Sequence, residues 1–234
     1  MYDVLKVSMP FLLEGLINTI IISLLSIFFG SIAGVILGLI RTLSNKYIYA
    51  VVGTYIHFVR GMPVLIQLFI IYYILPTTGV WIFDLSGFAA AVLALSIYTS
   101  SYVAEIVRAA IMAVPVGQWE AAKAYGMSTF QSMRYVIVPQ AYKLTLAPMA
   151  GVYVLIIKGT SIISVIGVAE LMRYGQDAIN RSPGHIMFVL GVVALMYFVY
   201  CYPILRSISW IEQWATKGKV FDEKKVNKAV EEPV

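Results

Sequence analysis

The chain has 234 residues, 60% of them hydrophobic and 12% charged, and a net charge of +5. Soluble domains carry about 25% charged residues, and the apolar residues here arrive in runs of about twenty, which excludes a soluble globular fold. The basic residues gather at the ends of those runs and in the C-terminal stretch, a pattern of membrane topology and not of nucleic-acid binding. The one cysteine, Cys201, excludes a disulfide framework and reads as a small buried hydrophobe.

Residues 1–14, MYDVLKVSMPFLLE, read as an extracytoplasmic segment. They lack the basic cluster of a signal peptide, so the apolar run that follows is expected to stay as a span. Five spans are predicted: 15–40, 51–75, 87–110, 144–163 and 186–205. At about 1.5 Å per residue each can cross roughly 30 Å of hydrocarbon. In the first span Gly30, Gly34 and Gly38 recur on one helix face, a spacing that lets backbones approach closely without naming the partner helix. One side of the membrane receives Arg41, Lys46, Arg108, Lys123, Arg134 and Lys143, with Arg206, Lys217, Lys219, Lys224, Lys225 and Lys228 in the tail. The other side receives Lys6, Arg173 and Arg181. That excess predicts an outside N-terminus and a cytoplasmic C-terminus. Residues 15–214 then form the membrane domain, and 215–234 a charged cytoplasmic tail without apolar periodicity, expected to be disordered.

Between the third and fourth spans, residues 115–139 are too polar to cross. Val116, Trp119 and Ala122 share a helical face, Gly126 can end the helix in the left-handed conformation, and Pro115 suits its start. Met127, Phe130, Met133 and Ile137 continue at helical spacing up to Pro139. The insert therefore reads as a short helix, a glycine break and a second helix returning to the membrane. The residues alone are equally compatible with a helix lying on the bilayer surface.

Ionisable residues within spans are costly and mark pathways. Arg60 is set roughly 14 Å into the second span by helix rise, beside Gly61 and Pro63, which can break the helix. Its guanidinium suits a carboxylate such as that of an amino acid. Glu105, towards the cytoplasmic end of the third span, can take a substrate ammonium, serve a gate, or pair with Arg60 as scaffolding. Lys158, Thr160 and Ser161 are polar candidates at the end of the fourth span, although hydroxyls there commonly bond backbone carbonyls. His57 and His185 stand apart with no metal-ligand spacing and no nucleophile to serve, so enzyme chemistry is not expected.

The insert resembles the EAA loop of bacterial ABC import permeases: Glu120, Ala121, Ala122, then Gly126, then Val136, Val138 and Pro139 at the family's spacing. The stretch FVRGMPVLIQLFIIYYILP, containing Arg60 and Gln67, resembles the R-G-T-P-L-L-x-Q-L segment of the polar amino-acid branch, with Met62 for Thr. SSYVAEIVRAAI resembles its Y-x-A-E-x-x-R-A segment. Gly159 stands where K-D-T-S-L relatives carry an acid.

The resemblance implies an all-α, type I importer permease of about five transmembrane helices in a bacterial inner membrane. It would carry a polar amino acid through a pathway including Arg60, Gln67, Glu105, Lys158, Gly159, Thr160 and Ser161. It further implies that Trp119, Glu120, Ala121, Ala122, Gly126 and Pro139 form a coupling helix docked on a cytoplasmic ATPase. Implied partners are a second permease, identical or similar, two ATPase subunits and an extracytoplasmic binding protein. The chain has no G-x-x-x-x-G-K-[ST], so ATP and magnesium are expected on the ATPase and no cofactor on this chain. The competing expectation is an ion-gradient-driven transporter or channel without an ATPase, for which an inverted repeat would speak. A membrane anchor is a third, with no use for charges inside spans.

Overall fold

The computed structural model describes residues 2–231, with side chains to residue 208 and at Trp210. Among these residues the regular structure is entirely helical. Helix α1 (Tyr2–Leu43) takes in the segment expected to precede the first span. Helix α2 (Lys46–Gly61) is capped by Asn45, whose side chain accepts from the Ile48 amide. It ends at Met62 and Pro63, both extended, and α3 (Val64–Phe69) departs from it at 102°. Proline has no N–H and disfavours helix in the residue before it. The span expected over 51–75 is thus a bent pair, broken at the Gly61–Pro63 step where the sequence allowed a break.

Helix α4 (Gly87–Met112) begins at Ser86, whose hydroxyl accepts from the Ala89 amide. The short helices α5 (Val116–Ala124) and α6 (Thr129–Ser132) form the insert. Helix α7 (Val138–Gly159) runs on from α6 without a gap, so the fourth span is part of one helical course, Thr129–Ile166. Pro139 starts α7 and does not end its predecessor. A wide turn, Met133–Ile137, makes this possible: the Val138 amide reaches back five residues to the Met133 carbonyl. The same arrangement precedes Pro76, where Leu75 donates to Ile70. Such π-turns accommodate a position where the regular four-residue bond would lack its donor.

Helix α8 (Leu171–Arg181) was not expected; at 11 residues it is too short and too polar to register as a span. Helix α9 (Ile186–Glu231) contains the fifth span and continues through most of the tail. The tail is therefore helical to Glu231 instead of disordered. Its Glu, Lys and Ala are strong helix formers, with neither Gly nor Pro from 219 to 232. Residues 232–234 of the expected tail lie outside the described residues. Four helical courses are long and apolar enough to cross a membrane, five if the bent pair counts as one.

The partner of the glycine face is α4. A Cβ on Gly30 would meet Thr99 and the Ser96 carbonyl, on Gly34 Val103 and the Ser100 carbonyl, and on Gly38 Val107 and the Ala104 carbonyl, at 2.5–2.8 Å. The matched numbers rise together, so α1 and α4 run parallel, as first and third spans must. At the other end of α1 the buried Glu170 joins three elements. Its carboxylate accepts from the Met172 and Arg173 amides at the start of α8, from Tyr197 of α9 and from Thr19 of α1. Burial pushes the Glu170 carboxyl above its ordinary value, and those donors only partly offset it. Cys201 is buried, as expected.

Candidate functional site

Two structures meet at one end of the bundle: a cavity and the polar insert. The cavity, about 390 Å³, is lined by Arg60, Tyr102, Glu105, Ile106, Leu144 and Pro148 among others. Arg60 is the last residue but one of α2, at the brink of the 102° bend. It is exposed, and its guanidinium carbon lies 4.8 Å from the centre of the Tyr102 ring, a cation–π contact that leaves the N–H fork available. Among the described residues Arg60 forms no ion pair.

Glu105 lines the same cavity but its carboxylate is already engaged, and Arg60 is not the partner. Arg41 Nη1 donates to Oε2 at 2.6 Å, and Arg108 grips the carboxylate from one turn away. The scaffolding pair between Arg60 and Glu105 is therefore replaced by an Arg41–Glu105–Arg108 cluster. Sequence reading counted Arg41 as a loop charge because it closes an apolar run; in the fold it is 5% exposed. Only the proximity of α1 and α4, carried by their glycine face, brings it to Glu105.

Gln67 is buried away from this cavity. Its amide nitrogen donates to the carbonyls of Val59 and Met62, at 2.7 and 2.9 Å. These are backbone groups released by the helix break, which must find partners inside the membrane. Gln67 thus brackets the bend that carries Arg60.

The other polar candidates lie elsewhere. Lys158 and Ser161 line a second cavity, also about 390 Å³, with Met172 and Tyr197. Thr160 is fully buried and donates to Ile157, and Ser161 donates to Lys158, both bonds to backbone carbonyls. Gly159 has room beside it: a Cβ there meets only Leu95, at 3.9 Å.

In the insert, Gly126 has φ +74, its amide donates to Lys123, and the Met127 amide donates to Ala122. This pair of bonds is the left-handed helix ending that glycine permits. Ser128 and Gln131 cap the next helix reciprocally. The expected apolar face is only partly inward. Ala122, Met133 and Ile137 are buried and Trp119 half-buried, while Val116 and Phe130 face outward with Glu120, Ala121 and Tyr125. Pro139 is exposed at the join with α7.

Residues 27–215 match the family model described as the binding-protein-dependent transport system inner membrane component. The chain is 37% identical over 193 residues to the L-cystine transport system permease protein TcyB of Bacillus subtilis, covering 82% of this chain and 81% of that one. It is 37% identical over 195 residues to the glutamine transport system permease protein GlnP of Escherichia coli, covering 82% and 87%. A crystal structure of an amino acid ABC transporter with histidines superposes with a TM-score of 0.80 at 37% identity, over 88% of this chain and 94% of that chain. The MetNI methionine ABC transporter in an inward-facing conformation, at 21% identity, shares the fold with a TM-score of 0.72. With its helical fold and EAA-type insert, the chain belongs to the binding-protein-dependent transport system inner membrane components, the family of ABC importer permeases.

Proposed function

We infer that the chain is the permease of a polar amino-acid importer in a bacterial inner membrane, working as a dimer with itself or a similar permease. Two separate ATPase subunits would bind ATP and magnesium, and an extracytoplasmic binding protein would deliver the substrate. The insert 115–139 docks on the ATPase, through Glu120, Ala121 and the outward residues around Gly126. Arg60 receives the substrate carboxylate at the cavity mouth, while Lys158, Ser161 and the open position at Gly159 line a second polar stretch of the pathway. Glu105, held by two arginines, supports the cavity wall. Alternating access follows from ATP binding and hydrolysis, with substrate acting through its different affinities for the two states.

The observation that carries this proposal is the insert's construction. A capped glycine break presents Glu120 outward, one arm following α4 across a short turn at 113–115 and the other running on into α7. The test is purification with the neighbouring ATPase in lipid, followed by ATP hydrolysis with a panel of amino acids and the cognate binding protein. Stimulation by one or a few polar amino acids supports it; indifference to all of them, with uptake driven by an ion gradient alone, sinks it.

A further inference from the structure

Arg41 occupies a costly position. It is 5% exposed, its Nη1 holds Glu105 at 2.6 Å, and its guanidinium carbon sits 4.7 Å from the Tyr49 ring centre of α2. A Cβ built on Gly53 of α2 would come 3.0 Å from Arg41 Nη2. One side chain at the end of α1 therefore touches both α2 and α4. Among the described residues its Nε finds no hydrogen-bond partner. A buried ion pair repays its desolvation only when the remaining donors are satisfied, so stability alone is a poor reason for this arginine.

The cluster adjoins the apolar base of the insert. Val107, Ala110 and Ile111 of α4 pack in one group with Met133 and Ile137, flanked by Trp119 of α5 and Leu39 of α1. Displacement of the insert thus reaches α4 through packing. Apolar surfaces slide past one another, whereas a forked arginine–carboxylate contact resists separation because parting exposes charge at depth.

We propose that Arg41 is a positioning residue of energy coupling: acting through Glu105, it makes α1 and α2 follow α4 when the ATPase moves the insert. This rests on the insert being the ATPase-docking element. The test uses the full complex in liposomes and measures substrate molecules moved per ATP hydrolysed. The Arg41→Met, Glu105→Met double variant removes the contact and keeps the space filled, and Arg108, partly exposed, can turn to water. Gly53→Ala keeps every charge and displaces only the far end of a flexible side chain, so it should fold. Expected are normal ATPase recovery and continued hydrolysis, with transport per ATP reduced at least fivefold in the double variant and about twofold to threefold in Gly53→Ala. Wild-type transport per ATP in the assembled double variant overturns the proposal, showing a packing role only. If the double variant does not assemble, Gly53→Ala decides alone: an unchanged ratio overturns the proposal and a lowered one sustains it. Glu120→Lys separates the two ideas, because ATPase retained with normal transport in that variant refutes docking by the insert, irrespective of Arg41.

Discussion

Tyr197 of α9 donates its hydroxyl to the buried carboxylate of Glu170 at 2.9 Å, and the same carboxylate caps α8. Because the native carboxyl is raised above its ordinary value, its contribution to stability is complete below the ordinary carboxyl range and is lost as pH rises through the raised native value. Thermal unfolding in detergent should show a lower midpoint at pH 8 than at pH 4, below the ordinary carboxyl range. Glu170→Gln cannot ionise and should flatten that slope, while costing about 1–2 kcal/mol as a weaker cap. Parallel slopes for wild type and variant would remove Glu170 as the titrating group.

Gly34→Leu should prevent the close contact of α1 and α4. Its Cβ alone would fall 2.6 Å from the Val103 Cβ and 2.8 Å from the Ser100 carbonyl, and overpacking of this kind costs about 1–3 kcal/mol or more. Gly191→Ala is the control, since no atom lies near its added Cβ. Size-exclusion profiles in detergent should show aggregation of the first and a normal peak for the second. A normal peak for both would mean that the helices are held elsewhere.

Arg60→Lys keeps the charge but loses the planar fork, and should raise the KM of uptake about tenfold with little change in expression. Arg60→Ala should abolish saturable uptake. Uptake by Arg60→Ala with an unaltered KM would show that the guanidinium is not in contact with substrate.

Gly126→Val should weaken the ATPase association. Valine tolerates φ +74 poorly, and no packed neighbour is disturbed, so the strain is confined to the insert. Pull-down from membranes should recover the permease at normal levels with the ATPase reduced severalfold. Equal ATPase recovery would count against the insert as the dock.

Gly159→Asp should shift preference towards amino acids with cationic side chains, because a side chain has room there, its Cβ meeting only Leu95 at 3.9 Å. Relative uptake across basic, neutral and acidic amino acids measures it. An unchanged profile in a well-expressed variant would place Gly159 off the pathway.

The local features proved the most legible in the sequence. Gly126, Pro115 and the polar composition of 115–139 announce the insert, since left-handed glycine and N-terminal proline act within a few residues. The glycine stripe announced a tight contact, yet its partner depends on how distant helices assemble. Arg41 and Glu170 were hidden for that same reason. Arg41 looks like a topology charge until α1 meets α4, and the partners of Glu170 are up to 151 residues away. Gln67 was visible as polar inside a span, but its target, the carbonyls freed by the break, exists only once the bend forms.

The glycine face of α1 has one more consequence. With Cβ-sized gaps already occupied along Gly30, Gly34 and Gly38, no file of water or ions can thread between α1 and α4. That junction is closed to permeation along the whole glycine face. The open volume lies instead on the other flank of α4, where Tyr102 and Arg60 border the cavity.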